Sequence, residues 1–234
     1  MPDMKQHYAL IGIALVADEY PLYFDAANEK GLGMAGLNYP DNFKAFDVQE
    51  GKDNVTPFEF IPWVLGQCAS VDEAKKLLTN NPQFLKQLTN LDNYASLSPA
   101  MPVNTFSKEV NFNGYSRGLS SHNLPGGMDS ESRFVRVAFN KFNAPKHNSE
   151  EENVDTYFHI LHSVEQQKGL DEVAPNQFEY TIYSDDTNLD TGAFYYTSYN
   201  NKRITKVDLH KENLDSDKLI TYPINDKIVF DEEN

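Results

Sequence analysis

Cysteine is nearly absent from this chain: Cys68 stands alone in 234 residues. A single thiol excludes an internal disulfide and a multi-cysteine metal site, and it fits a reducing, cytoplasmic setting. Positive charge is scarce as well. Lys and Arg number 20 against 35 Asp and Glu, for a net charge of −15. That balance argues against a nucleic-acid partner and against an anionic membrane surface, and it reads as solubility. No apolar run is long enough to span a bilayer. The longest candidate, "YALIGIALVA" (Tyr8–Ala17), has Asp3 before it and Ala17-Asp18-Glu19 after it, so it reads as a buried strand and not a signal-peptide core. Repeats, low-complexity stretches and Gly/Ser linkers are also missing, which points to a single domain over residues 1–234.

What is present is a succession of strand and helix signals. Apolar segments at Tyr8–Val16 and Leu22–Phe24 predict strands covered on both faces, with a turn at Glu29-Lys30-Gly31. Thr56-Pro57-Phe58-Glu59 is a capping box with Pro at the first helical position, although Pro62 predicts a distorted or restarted first turn. Ser70-Val71-Asp72-Glu73 is a second capping box, and Asn81-Pro82 can open a third short helix. The region from about Leu91 to Gly127 is rich in turn residues. Two longer helices are predicted next. One runs Ser130–Phe142, with Phe134, Val137, Ala138 and Phe142 on its apolar face; the other runs Glu151–Lys168 and is closed by Gly169. Alternating residues then predict antiparallel strands: Phe178, Tyr180 and Ile182, then Ala193–Tyr199, an Asn200-Asn201 turn, and Arg203–Leu209. Strands, then helices, then a meander make an α+β chain.

Local motifs supply little chemistry. Gly114-Tyr115-Ser116-Arg117-Gly118 matches the G-x-S-x-G elbow, but "LSSHNLPGG" cannot form the helix that must follow the nucleophile, so Ser116 reads as a turn residue. His159 and His162 lie three apart on a predicted helix without a third ligand at convincing spacing. "GLGMAG" does not fit a phosphate-binding loop, and Cys68 reads as buried filler. No cofactor or metal is expected.

Longer stretches carry more. "NEKGLGMAGLNYP" (Asn28–Pro40), "LTNNPQF" (Leu78–Phe84), "NLPGGMDSESRFVRVAF" (Asn123–Phe139) and "YFHILHSV" (Tyr157–Val164) resemble, collinearly, the choloylglycine hydrolase family of conjugated bile salt hydrolases and penicillin V acylases. The resemblance implies an N-terminal-nucleophile hydrolase with a four-layer αββα sandwich, a homotetrameric assembly and a small-molecule amide substrate. It places the asparagine of the family's G-L-N motif on Asn38, that of L-T-N-x-P on Asn80, and the arginine of S-R-F on Arg133. In the family's mechanism an N-terminal cysteine thiolate attacks the amide carbonyl while its own α-amine carries the proton. Asn38 and Asn80 would donate to the oxyanion, and Arg133 would bias the thiol and its neighbouring carboxylate. Asn rather than Tyr at position 38 leans the substrate towards glycine- or taurine-conjugated bile acids.

Two departures accompany the resemblance. This sequence begins Met1-Pro2-Asp3-Met4 and enters the family pattern near His7, without counterparts of the family's nucleophilic cysteine and of the arginine and aspartate that follow it. In "EAKKLLTNNPQF" (Glu73–Phe84), the helix and the L-T-N-x-P motif adjoin directly, where the family interposes strands and a substrate-contacting loop. The expectation is a sandwich that lacks about forty to fifty residues between Leu78 and Thr79 and a similar number at the front. Such a chain is predicted to be catalytically inactive, to expose apolar sheet surface and to aggregate when expressed alone.

Overall fold

The computed structural model describes residues 4, 6–36, 48, 50–51, 54–77, 90–111 and 116–234. The Leu78/Thr79 junction, the proposed helix start at Asn81-Pro82, Asn38 and Asn80 lie outside them. The chain divides into two compact units, residues 1–80 with 185–234, and residues 81–184.

In the first unit, β1 (Leu10–Ala17), β2 (Tyr20–Asn28) and β3 (Gly33–Ala35) form an antiparallel sheet in that order. Asp18 and Glu19 join β1 to β2 with φ of 50° and 63°, the left-handed geometry of a two-residue hairpin whose twist suits the strands. Gly12 faces Ala26 across this ladder, and a Cβ there would lie 2.1 Å from the Asp25 carbonyl oxygen. Only glycine lets the strands approach so closely.

The helical stretch restarts, as Pro62 predicts. A 3-10 turn at Pro57–Glu59 leads into α1 (Phe60–Leu65), and the Thr56 N–H and Oγ1 both donate to the Glu59 carboxylate, at 3.1 and 2.9 Å. α2 follows at Val71–Leu77, its Glu73 N–H donating to Ser70 Oγ at 3.3 Å. The core of this unit gathers Ala26, Leu32, Ile61, Val64, Leu65 and Cys68, with Tyr23, Met34, Phe60 and Trp63 packed against it.

Asn28 joins the sheet to α1. Its Nδ2 donates to the carbonyls of Leu65 and Cys68, both at 2.8 Å, and its Oδ1 accepts from the N–H groups of Lys30 and Leu32 at 3.1 and 3.0 Å. One buried side chain thus satisfies the end of α1 and the β2–β3 turn together.

β6 (Tyr183–Asn188), β7 (Ala193–Ser198) and β8 (Thr205–Asp208) form a second sheet with β7 central, and every residue of β7 is buried. Gly31, at φ 80°, brings the β2–β3 turn against Leu189, whose carbonyl oxygen would lie 2.7 Å from an added Cβ. Beyond a 3-10 turn at Leu209–Lys211, residues 219–234 carry no regular structure.

In the second unit, α3 (Ser130–Asn143) and α4 (Glu150–His162) pack together through Val135, Ala138, Val154 and Phe158. Asp129 caps α3 by accepting from Ser132 N at 2.9 Å, and Ser149 caps α4 by accepting from Glu152 N at 3.2 Å. β4 (Asp171–Ala174) and β5 (Gln177–Glu179) make a short hairpin.

Four expectations need correction. β1 is apolar but only partly covered: Leu10–Ala14 are half-buried, while Leu15 is 58% and Val16 45% exposed. The buried face of α3 includes Val135 and leaves Phe142 77% exposed. α4 stops at His162, not Lys168: its last carbonyls accept from the N–H groups of Ser163, Val164 and Glu165, and the Ser163 and Val164 carbonyls that a longer helix would use accept from side chains of α3. The Phe178–Ile182 alternation is broken, since β5 ends at Glu179 and Ile182 is exposed.

Candidate active site

Of the three residues assigned by resemblance, Arg133 lies within the described structure; Asn38 and Asn80 do not. Arg133 occupies the first turn of α3, its N–H donating to the carbonyl of the capping Asp129 at 3.0 Å. Its half-buried guanidinium donates from Nε to Val164 O at 2.9 Å. Arg136 donates from Nε to Ser163 O at 2.9 Å and from Nη1 to Pro125 O and Gly127 O at 2.9 and 3.2 Å. Asn140 Nδ2 donates to Ser163 Oγ at 2.7 Å.

These three residues line one face of α3 at helical spacing and grip the C-terminal end of α4. Cationic groups are favoured there by the helix dipole, and they bind the Ser163 and Val164 carbonyls just past its end. Burial and the nearby Arg136 lower the Arg133 pKa, while Glu179 opposes the shift. A guanidinium stays charged through such shifts. Among the described residues the Arg133 Nη groups donate to no protein acceptor. A half-buried cation oriented through Nε alone keeps a fork that can hold a carboxylate or sulfonate.

Cys68 is no nucleophile in this setting. It sits in the apolar core, its backbone N–H donates to Val64 O at 3.0 Å, and burial, with the Glu73 charge adding, pushes its thiol pKa up. A thiol held protonated, on a nitrogen committed to a peptide bond, offers neither thiolate nor amine.

The other candidates do not assemble into sites. Ser116 is an exposed bend residue whose Oγ donates to Arg117 O, followed by a 3-10 turn at Leu119–Ser121 and not by a helix. His159 Nε2 pairs with Asp155 at 3.6 Å, and His162 Nε2 with Glu165 at 3.8 Å, so the two rings face different carboxylates. Among the described residues no group of three or more His, Cys, Asp or Glu side chains could hold a metal ion.

Sequence reasoning missed one feature of the first unit. Asp185 on β6 hydrogen-bonds to the carboxyl of Asp25 on β2, linking the two sheets. Asp25 Oδ1 also accepts from Ile13 N at 3.3 Å. Burial first, then the Asp25 charge and hydrogen bond, and then Asp186 raise the Asp185 pKa to about 8. Two carboxyl groups this close share a proton. The sole signal in the sequence was Asp185-Asp186 in a strand-length segment, and nothing local linked it to a residue 160 positions earlier.

The fold places the chain in a class. It aligns with a mutant of the conjugated bile acid hydrolase of Clostridium perfringens at TM-score 0.86 and 26% identity, over 99% of this chain and 86% of that one. It shares its fold with a penicillin V acylase from Agrobacterium tumefaciens at TM-score 0.55 and 18% identity, over 82% and 68% of the two chains. This is the α+β scaffold of the N-terminal-nucleophile hydrolases.

Sequence narrows the class. The profile of the linear amide C–N hydrolases, choloylglycine hydrolase family, matches residues 2–80 and 76–222. A bile salt hydrolase/transferase from Lactiplantibacillus plantarum is 42% identical over 95% of this chain and 84% of its own length. One from Clostridium perfringens is 27% identical over 99% and 86%. The chain belongs to the choloylglycine hydrolase family. Among the described residues no helix is long and apolar enough to cross a membrane.

Proposed function

We propose that this chain is directed to conjugated bile acids, amides with an apolar steroid body and an anionic glycine or taurine tail, and that the polypeptide of these 234 residues does not cleave them. The similarity to bile salt hydrolases along 95% of the chain carries the first half. Asn38, where penicillin V acylases of the family have Tyr, supports the same substrate class, and the likeness to a penicillin V acylase is more distant. In this reading Asn38 and Asn80 are oxyanion donors and Arg133 is the fixed cation. Loss of one oxyanion donor in an active relative would cost about 10²–10³ in rate.

The state of the sole cysteine carries the second half. Amide cleavage in this family uses a thiolate and an α-amine on one residue, and Cys68 provides neither. The break of the family match into two stretches that meet at residues 76–80 supports an internal deletion at the Leu78/Thr79 junction. Glycine or taurine release from glycocholate and taurocholate by the purified polypeptide, read with an amine-reactive dye, tests the reading, with calorimetric binding alongside. Saturable binding without release is expected. Release of either amine, above all release lost on Cys68→Ala, would refute the inactivity and leave the substrate class standing; absence of binding would refute the substrate class.

A further inference from the structure

Arg136 uses its guanidinium differently from Arg133. The two stand three residues apart on α3, so their side chains leave the same face of the helix. Both reach the carbonyls just past the end of α4. Arg133 donates there once, from Nε to Val164 O at 2.9 Å. Arg136 donates to Ser163 O from Nε at 2.9 Å, and from Nη1 to Pro125 O and Gly127 O at 2.9 and 3.2 Å. One cation is thus committed to three carbonyls, while its neighbour keeps an Nη fork that holds no acceptor among the described residues.

The segment that Arg136 holds is the one that sets the start of α3. Asp129 accepts from the N–H and the hydroxyl of Ser132, at 2.9 and 2.7 Å. A Cβ on Gly127 would lie 2.5 Å from Asp129 Oδ2 and 2.8 Å from Ser132 Oγ, so the turn lies directly against the cap. Arg133 follows Ser132 on this fastened turn. At the α4 end, Asn140 Nδ2 donates to Ser163 Oγ at 2.7 Å, and Ser163 Oγ donates to Ile160 O at 2.6 Å, which anchors the residue whose carbonyl Arg136 takes.

We infer that Arg136 is a positioning residue: by occupying Ser163 O and the 125–127 turn, it keeps the Nη fork of Arg133 uncommitted and available to the anionic group of a ligand. The inference rests on the reading of Arg133 as the fixed cation for an anionic tail. Two effects carry it. Ser163 O adjoins the Val164 O that Arg133 already holds, and a carbonyl without a donor would compete for the fork; Arg136 closes that acceptor. The two guanidiniums also repel, whereas Glu179 attracts Arg133. A cation already seated on Ser163 O therefore disfavours a second one there. Lysine could not replace Arg136, because an ammonium lacks the planar fork that spans separate acceptors.

NMR of the arginine side chains and calorimetry, both on the full chain, test this. The Arg133 Nε–H signal, identified by its loss in Arg133→Lys, should move in Arg136→Ala and equally in Arg136→Lys. Asn140→Ala, which removes a contact to the same Ser163 without touching either guanidinium, should leave it in place. Affinity for taurocholate should fall about tenfold in both Arg136 variants, while affinity for cholamide, the same steroid as an uncharged amide, should change by less than about twofold. Arg136→Lys, the milder change, carries the test if Arg136→Ala does not fold. Equal weakening of both compounds would mark a general structural loss and overturn the positioning role. So would an Arg133 signal unmoved in the Arg136 variants, or taurocholate binding restored in full by Arg136→Lys. A parent chain that binds neither compound would refute the bile-acid reading instead, and the Arg133 signal would then decide the positioning role by itself.

Discussion

Replacing Asn28 tests how the N-terminal sheet is tied to α1. The side chain is 3% exposed and spends both amide hydrogens on the Leu65 and Cys68 carbonyls, and its oxygen on the Lys30 and Leu32 N–H groups. Asn28→Ala removes four hydrogen bonds with a net worth of about 0.5–1.5 kcal/mol each, and leaves groups beside the core without partners at about 1–3 kcal/mol each. Water that enters the vacated volume recovers part of this, so the expected loss is about 3–5 kcal/mol, a large share of a total stability of about 5–15 kcal/mol. Trp63 is the chain's one tryptophan and packs against this core, so urea unfolding followed by its fluorescence reports on the right unit. Asn28→Asp is the sharper control. It keeps the oxygen that accepts from Lys30 and Leu32, but it turns a carboxylate towards two carbonyls. Its deficit should shrink in acid, where a protonated carboxyl can donate to one of them. An Asn28→Ala midpoint equivalent to less than about 0.5 kcal/mol of destabilisation would refute the assignment, since that is the scatter of neutral surface changes.

Further outcomes follow from the same geometry. Because the folded pKa of Asp185 is raised to about 8, its contribution is complete below the ordinary carboxyl range and is lost as pH rises to about 8; stability should fall by up to about 1.4 kcal/mol per pH unit across that window. Asp185→Asn can still donate to the Asp25 carboxylate, so its urea midpoint should be nearly flat from pH 5 to pH 8, and a slope matching the parent's would refute the shared proton. Cys68 is buried with a raised thiol pKa, so a disulfide reagent should modify it only as fast as the first unit opens, rising steeply with urea; rapid labelling in buffer would contradict the core placement. Arg133→Lys preserves the charge but loses the Nε bond to Val164 O, and should cost about 1–2 kcal/mol in thermal or urea melts; a melt unchanged from the parent would show that the bond carries no load.

What the sequence discloses, and what it withholds, follows the range of the interactions involved. Caps act over three or four residues, so the Thr56/Glu59 box and the Ser70 start could be read directly, and both are present. The end of α4 could not. Its apolar spacing and Gly169 extend the pattern, but Arg133, Arg136 and Asn140 from another helix take the Ser163 and Val164 groups. From there the chain turns, and Gln166 pairs with Thr181 in both directions. The Asp25–Asp185 pair is withheld for the same reason, each residue being an ordinary polar position in its own strand. β1 shows the opposite failure. A continuous apolar run implies a covered strand only when the rest of the structure supplies a cover, and the described residues leave Leu15 and Val16 open.

On the reading proposed above, family membership and catalytic competence are separable. Membership rests on agreement spread along the chain, over residues 2–80 and 76–222, and does not depend on any single position. Catalysis in an N-terminal-nucleophile hydrolase depends on a single residue that supplies sulfur and amine together. On the proposal made above, scaffold likeness alone does not supply that residue, because oxyanion donors and a fixed guanidinium lower a barrier only once a nucleophile is present to approach it. In that proposal Arg133 would still offer a cation to an anionic amphiphile, a contact that needs complementarity and no proton transfer. Binding and turnover thus test different parts of one structure.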